Sequence, residues 1–182
     1  GETWSEPLQL AGEGAANPSI VTVGNDEVHV VWGSSLAYSI VSHQWSADGG
    51  KSWSPIEIIA ERSGGLLGAP AVAVDSSGTL HVVTTSEGAA VYLTWKAGVW
   101  SSPLRIWEDS VNEPRATISG GNRLHVIFTD DKGLVYLARS TDAPAVGLLS
   151  GQNETFDGAT EVVPSATPSL SVAGSLDRTA ED

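Results

Sequence analysis

The sequence predicts an all-β chain assembled from repeats the size of a four-stranded propeller blade. Three observations predict it. Four segments share a proline-led start: Asn17-Pro18-Ser19-Ile20, Ala69-Pro70-Ala71-Val72, Glu113-Pro114-Arg115-Ala116 and Thr167-Pro168-Ser169-Leu170. Their prolines stand 52, 44 and 54 residues apart, which is the spacing of propeller blades. The first three starts lead into matching strand patterns, Val28-His29-Val30-Val31-Trp32, Leu80-His81-Val82-Val83-Thr84 and Leu124-His125-Val126-Ile127-Phe128, with one histidine at the same place in each. Composition agrees, since 20 Gly, 9 Pro and 7 Trp in 182 residues suit a protein of many turns and aromatic packing.

Taken in order, residues 1–12 read as a trailing strand, 13–64 as a blade, 65–110 as a second and 111–163 as a third with a long insertion. Residues 164–182 read as the leading strand of a further blade. Within a blade the proline opens the first strand, where no ladder donor is lost. Turn residues Gly24-Asn25-Asp26, Ser77-Gly78 and Gly120-Gly121-Asn122 precede the histidine-bearing second strands. Val91-Tyr92-Leu93-Thr94-Trp95 and Val135-Tyr136-Leu137-Ala138-Arg139 match as third strands. A fourth strand then begins at Trp-Ser and proline: Trp4-Ser5-Glu6-Pro7, Trp53-Ser54-Pro55 and Trp100-Ser101-Ser102-Pro103. The tryptophans are expected to wedge between blades. In the third blade the last strand is expected from Ala159-Thr160-Glu161-Val162-Val163, after an insertion that holds the glycosylation sequon Asn153-Glu154-Thr155.

One turn carries the most specific pattern. Ser46-Ala47-Asp48-Gly49-Gly50-Lys51-Ser52-Trp53 has the spacing Ser-x-Asp-x-Gly-x-x-Trp. The Asp48 carboxylate suits backbone N–H groups of its own turn, the two glycines suit positive φ, and Trp53 is expected to open the outgoing strand. With Ser46, Asp48, Gly50 and Trp53 at its four defining positions, this octapeptide resembles the Asp-box of sialidase-like β-propellers (the BNR repeat). The resemblance implies about three blades, plus partial flanking strands, of a larger six-bladed ring. Gly1-Glu2-Thr3-Trp4 resembles the back half of such a box and Ser140-Thr141-Asp142 the front half. Two copies of the chain exchanging strands into one ring therefore stand as an alternative to a piece of a longer propeller.

Enzymes of this family grip a substrate carboxylate with an arginine cluster, use a tyrosine paired with a glutamate as nucleophile, and use an aspartate as acid/base. The nearest match is Asn112-Glu113-Pro114. It makes Glu113 the candidate for the functional glutamate and Arg115 the candidate ligand-binding cation, both at the mouth of the axial funnel. The resemblance also expects an arginine near the end of the second strand, and Phe128-Thr129-Asp130 supplies none. Tyr38 and Tyr92 are expected to pack between sheets. The resemblance thus implies a non-catalytic extracellular binding or scaffold propeller for glycan or protein. The alternative is part of a secreted exo-sialidase or related glycoside hydrolase.

Charge narrows the partners. A formal net charge of −13 argues against nucleic acid, which rewards Lys and Arg at phosphates, and against anionic membrane surfaces. No apolar run reaches transmembrane length, so no membrane insertion is expected. Without cysteine there is no disulfide framework or thiol chemistry. Without methionine, even at position 1, the chain reads as trimmed or cut from a longer precursor. The expected setting is secreted or cell-surface, with a homodimer or the rest of a parent ring as protein partner. No metal and no cofactor are called for. The three equivalent histidines lie on different blades, and metal ligands must converge.

Overall fold

A computed structural model describes residues 3–34, 39–62 and 69–146. The chain divides into two units, Gly1–Leu149 and Ser150–Asp182, and the described residues all belong to the first. Every regular element among them is a strand. The first sheet is a meander of β1 (Ala15–Val23), β2 (Glu27–Ser34), β3 (Ser39–Ser46) and β4 (Glu57–Arg62), in that spatial order. The second holds β5 (Ala71–Val74), β6 (Leu80–Ser86), β7 (Ala89–Lys96), the short β8 (Val99–Trp100) and β9 (Leu104–Trp107). In it both β8 and β9 pair with β7. The third sheet is β10 (Asn112–Ser119), β11 (Arg123–Asp130) and β12 (Gly133–Ser140). All pairings are antiparallel. Of the first strands of the three sheets, β5 lies against both β1 and β10, as innermost strands of successive propeller blades do.

Burial follows from this order. In the middle blade, β6 and β7 are buried along almost their whole length, because a neighbour covers each face of their sheet. The outer blades alternate: β11 buries Leu124, Val126 and Phe128, while β1 and β12 only half-bury alternate residues, such as Val21 and Val23 or Val135 and Leu137. Two cores result. Val31, Val72, Leu80, Val82 and Trp95 fill the first junction, with Val21, Val23 and Trp100 against them. Ala73, Val83, Ala90, Tyr92, Leu124, Val126 and Phe128 fill the second, with Trp107 against them. Trp95 and Trp107 are thus wedges between sheets. On the far faces of the outer blades Ile20, Ile58, Leu134 and Tyr136 stay exposed.

Several expectations change. Residues 3–12 form no strand, and Trp4 is 99% exposed. A fourth strand forms only along the edge of its blade's third strand, and nothing in the described residues pairs with this stretch. Trp53 does not open β4, which starts at Glu57. Pro55 has no N–H for the ladder, and Ser54 instead closes the loop onto Trp45, donating its N–H to the Trp45 carbonyl at 2.8 Å and accepting the Trp45 N–H at Oγ at 3.1 Å. Ser101 repeats this on Thr94, at 2.8 and 2.9 Å, ahead of Pro103 and β9. Pro18 and Pro114 lie inside their strands rather than at the first residue, each in a β-bulge where the register slips. A bulge tolerates the missing donor. The expected strand at 159–163, the sequon at Asn153, the leading strand at 164–182 and Tyr38 lie outside the described residues.

Candidate functional site

The bulges give the inner mouth its form. Asn17 and Glu113 occupy the same place in their blades, immediately before proline, and both have positive φ, 53° and 45°. Side chains with a Cβ rarely adopt this region, and a following proline restricts the residue further. Each therefore costs on the order of 1–3 kcal/mol. The starts of β1, β5 and β10 converge on one cavity of about 210 Å³ lined by Asn17, Pro18, Ala69, Pro70, Arg115 and their neighbours. Ser19 Oγ in its wall is committed, accepting the Val72 N–H at 3.2 Å.

Arg115 lines this cavity; Glu113 shares its bulge but is not part of the lining. Arg115 Nη1 donates to the Pro114 carbonyl at 3.0 Å, which turns the guanidinium back over its own strand. Its Nη2 lies 3.9 Å from Glu113 Oε2, with side chains 61% and 80% exposed. Asn112 pairs with Thr129, so Thr129 stands beside Glu113 where the family resemblance expects an arginine. Among the described residues the lining carries one cation, Arg115, and no tyrosine.

The two described tyrosines, Tyr92 and Tyr136, are engaged elsewhere. Each repeat histidine sits in a chain of hydrogen bonds across its sheet. In the middle blade His81 Nε2–H donates to Asp75 Oδ2 at 3.0 Å, and Nδ1 shares a 2.6 Å bond with the Tyr92 hydroxyl. In the third blade His125 bonds Ser119 Oγ at 2.6 Å and the Tyr136 hydroxyl at 2.7 Å. In the first, His29 Nε2–H donates to Glu27 at 2.7 Å, and its Nδ1 meets His43 Nε2 at 2.9 Å. Glu27 fixes the proton on His29 Nε2, so His29 Nδ1 is the acceptor and His43 Nε2–H the donor. Burial lowers the pKa of His29 and of His81. Burial, with the neighbouring His29, pushes His43 down to about 4. Burial raises the Tyr92 pKa, the opposite of what an activated phenol needs. Burial also works against the Asp75 carboxylate, but hydrogen bonds from Ser77, His81 and Thr79 outweigh it and hold its pKa low. Among the described residues no three His, Cys, Asp or Glu side chains group as metal ligands.

The Ser46–Trp53 turn lies at the other end of its sheet. Val28 pairs with Ser46 and Val23 with Glu27, whereas Ala16 pairs with Gly33; the turn is therefore remote from the bulge at Asn17. Asp48 Oδ1 accepts the backbone N–H groups of Lys51 and Ser52 at 3.0 and 2.9 Å, and Oδ2 accepts the Ser52 hydroxyl at 2.6 Å. Ser46 Oγ–H donates to Asp48 Oδ1 at 2.8 Å and accepts the Gly50 N–H at 2.8 Å. Trp53 Nε1–H donates to the Gly50 carbonyl at 3.0 Å, and Gly49 and Gly50 have φ of 71° and 87°. The Ser52 bonds, with Ser46 and Lys51 adding to them, hold the Asp48 carboxyl well below the usual carboxylate range. The side chains of Ser46, Asp48, Ser52 and Trp53 are all spent inside the turn, and the Gly49 N–H ties it to the Asp26 carbonyl at 2.7 Å, so it holds the hairpin.

Ser140-Thr141-Asp142 does not repeat this turn. Ser46 pairs with Val28, the residue before the repeat histidine. In the third blade that partner is Leu124, and it pairs with Arg139. Ser140 is thus one step out of register with Ser46, and Asp142 accepts none of the bonds that Asp48 does.

No family model and no curated protein matches the chain. Solved structures do. The chain is similar to the Hadza microbial sialidase Hz136, at 17% identity and TM-score 0.51 over 69% of this chain and 34% of that one. It is also similar to the catalytic domain of the GH62 alpha-L-arabinofuranosidase of Coprinopsis cinerea, at 18% identity and TM-score 0.50 over 70% of this chain and 46% of that one. The chain spans less than half the length of either. With its three meander sheets and converging inner strands, it has an all-β fold of the propeller type.

Proposed function

We propose that this chain is a non-catalytic, extracellular binding or scaffold propeller that takes a glycan or protein ligand at the axial cavity. The observation that carries this reading is the convergence of the repeat starts on one cavity lined by the left-handed Asn17 and by Arg115, two residues after the left-handed Glu113. Backbone strain of this kind concentrates at ligand sites. Arg115 is the charged anchor, and Asn17 is the second open polar group. Against catalysis stand the threonine at position 129, the single cation in the lining and the engagement of Tyr92 and Tyr136 by histidines.

A second reading is favoured by Glu113 itself: this is part of a secreted exo-sialidase or related glycoside hydrolase, with its other catalytic groups outside the chain. Two measurements separate the readings. On a glycan array the chain is expected to bind, and Arg115→Ala is expected to weaken binding about tenfold or more, the worth of one charge-assisted bond. With a fluorogenic sialoside, the longer parent protein is expected to show no turnover. Turnover abolished by Glu113→Gln would overturn the non-catalytic reading.

A further inference from the structure

One repeat position carries three different residues. The partner of the residue before the repeat histidine is Ser46 in the first blade, Trp95 in the second and Arg139 in the third. Ser46 starts the closed turn. Trp95 fills the first junction, with its ring 4.7 Å from His29 and 6.3 Å from Trp45. Arg139 stands in the second junction, where its guanidinium lies 5.2 Å above the Tyr92 ring. A groove of about 460 Å³ runs beside it, within the range of small-ligand sites.

The groove offers open groups of both signs. The Arg139 guanidinium makes no hydrogen bond or ion pair among the described residues; the Tyr92 face is its one partner. Asp142 also faces the groove with no hydrogen bond or ion pair, and it does not pair with Arg139 three residues away. The other carboxylate in the wall, Asp75, is spent on Ser77, Thr79 and His81. Lys96 adds a second cation, its Nζ donating to Ser77 Oγ at 3.3 Å. Leu104, 52% exposed, supplies an apolar surface in the same wall.

We propose that this interblade groove is a binding site for a sugar acid, separate from the axial cavity, with which it shares no lining residue. Arg139, held flat by Tyr92, takes the ligand carboxylate through its fork of N–H donors. Asp142 accepts ligand hydroxyls. A bare oxyanion has no donors for Asp142 and meets its repulsion, whereas a neutral sugar leaves Arg139 unfilled. A ring carrying both a carboxylate and hydroxyls satisfies the two, with its C–H face against Leu104.

The test is titration of the full chain with glucuronate, glucose and inorganic sulfate, read by calorimetry and by backbone amide shifts. Glucuronate is expected to bind and to shift Ser77, Thr94 and Thr141. Glucose and sulfate are each expected to bind at least tenfold more weakly. Arg139→Gln is expected to weaken glucuronate binding about tenfold or more, Asp142→Asn to weaken it several-fold, and Leu134→Ala, exposed and outside both cavities, to leave it unchanged. Arg139→Trp, which copies the filled junction at Trp95, is expected to abolish binding while keeping the fold. Shift mapping of the unmodified chain decides the matter even where a variant does not fold. Sulfate binding as tightly as glucuronate, shifts confined to the axial residues, or no glucuronate binding at millimolar concentration would each overturn the proposal.

Discussion

Trp95→Ala is expected to loosen the first blade from the second. Trp95 is 7% exposed and sits in the cluster of Val31, Val72, Leu80 and Val82. Its ring meets His29, His43 and Trp45 at 4.7, 5.9 and 6.3 Å, so it touches the second and third strands of the neighbouring sheet. Truncating a buried aromatic of this size costs about 3–5 kcal/mol, because the rigid walls do not collapse into the space left. Domains of this size have a total stability of about 5–15 kcal/mol, so the loss is a large share of the whole. With a urea slope of about 2 kcal/mol/M, it lowers the unfolding midpoint by about 2 M. Urea titration followed by far-UV circular dichroism measures this. Hydrogen exchange places it: amides of β2 and β3 are expected to lose protection more than those of β11. Leu134→Ala, on an exposed face, is the control and is expected to change stability by less than about 0.5 kcal/mol. A Trp95→Ala loss below about 1 kcal/mol would mean that the first junction does not depend on this wedge.

Two further outcomes test the fold's internal chemistry. His43, ordinarily near 6.5, is pushed to about 4 by burial and by His29. Between those values the unfolded chain binds a proton that the folded chain refuses. This contribution is therefore complete above pH 6.5 and is lost as pH falls toward 4. The urea midpoint is expected to drop from about pH 7 to about pH 5, and His43→Gln to flatten the slope; an unchanged midpoint in the unmodified chain would sink the buried-pair account. Gly121→Ala puts a Cβ 2.6 Å from Val146 Cγ2 and 2.9 Å from Ser76 Cβ at a φ of +72°, whereas Gly120→Ala at +54° meets nothing within 4 Å. The first is expected to cost about 2–3 kcal/mol and the second about 1 in thermal unfolding. Equal losses would show that the loop moves aside and no real clash exists.

The repeat starts and histidine-bearing strands were legible in the sequence because both recur, and recurrence at blade spacing points to one architecture. The turn at Ser46 was legible because its residue types have one local use. What escaped detection is set by partners distant in the chain. Strand pattern gave no sign that Asn17 and Glu113 turn left-handed, since a residue before proline is expected to be extended. Nor did it show that Trp4 finds no strand edge among the described residues. Ser140-Thr141-Asp142 looked like half a box by letter, yet pairing of Leu124 with Arg139 puts it one step out. One further signal lies in the spacing: His81 and Tyr92, and again His125 and Tyr136, stand 11 residues apart, and both pairs hydrogen-bond.

The position shared by Ser46, Trp95 and Arg139 shows why departures within a repeat are informative. Each blade must cover its neighbour's sheet, and an indole does so well; a guanidinium leaves a groove and forgoes that burial. The second junction tolerates the loss because its core is anchored at the opposite end of β11. There Phe128 is buried against Trp107, their rings 5.7 Å apart, and Val126 and Leu124 continue the contact. In the first junction the aromatic mass sits at the histidine end, on Trp95 and Trp100. Exchanging the two residues should therefore be asymmetric. Trp95→Arg would place a charge among His29, His43 and Trp45 with no carboxylate at hand but the side chains of Glu27 and Glu57 already facing those histidines. Arg139→Trp would only fill open space. If the open junction were a packing defect without a role, filling it would raise stability and change nothing else. A groove retained for a ligand must lose that ligand when it is filled.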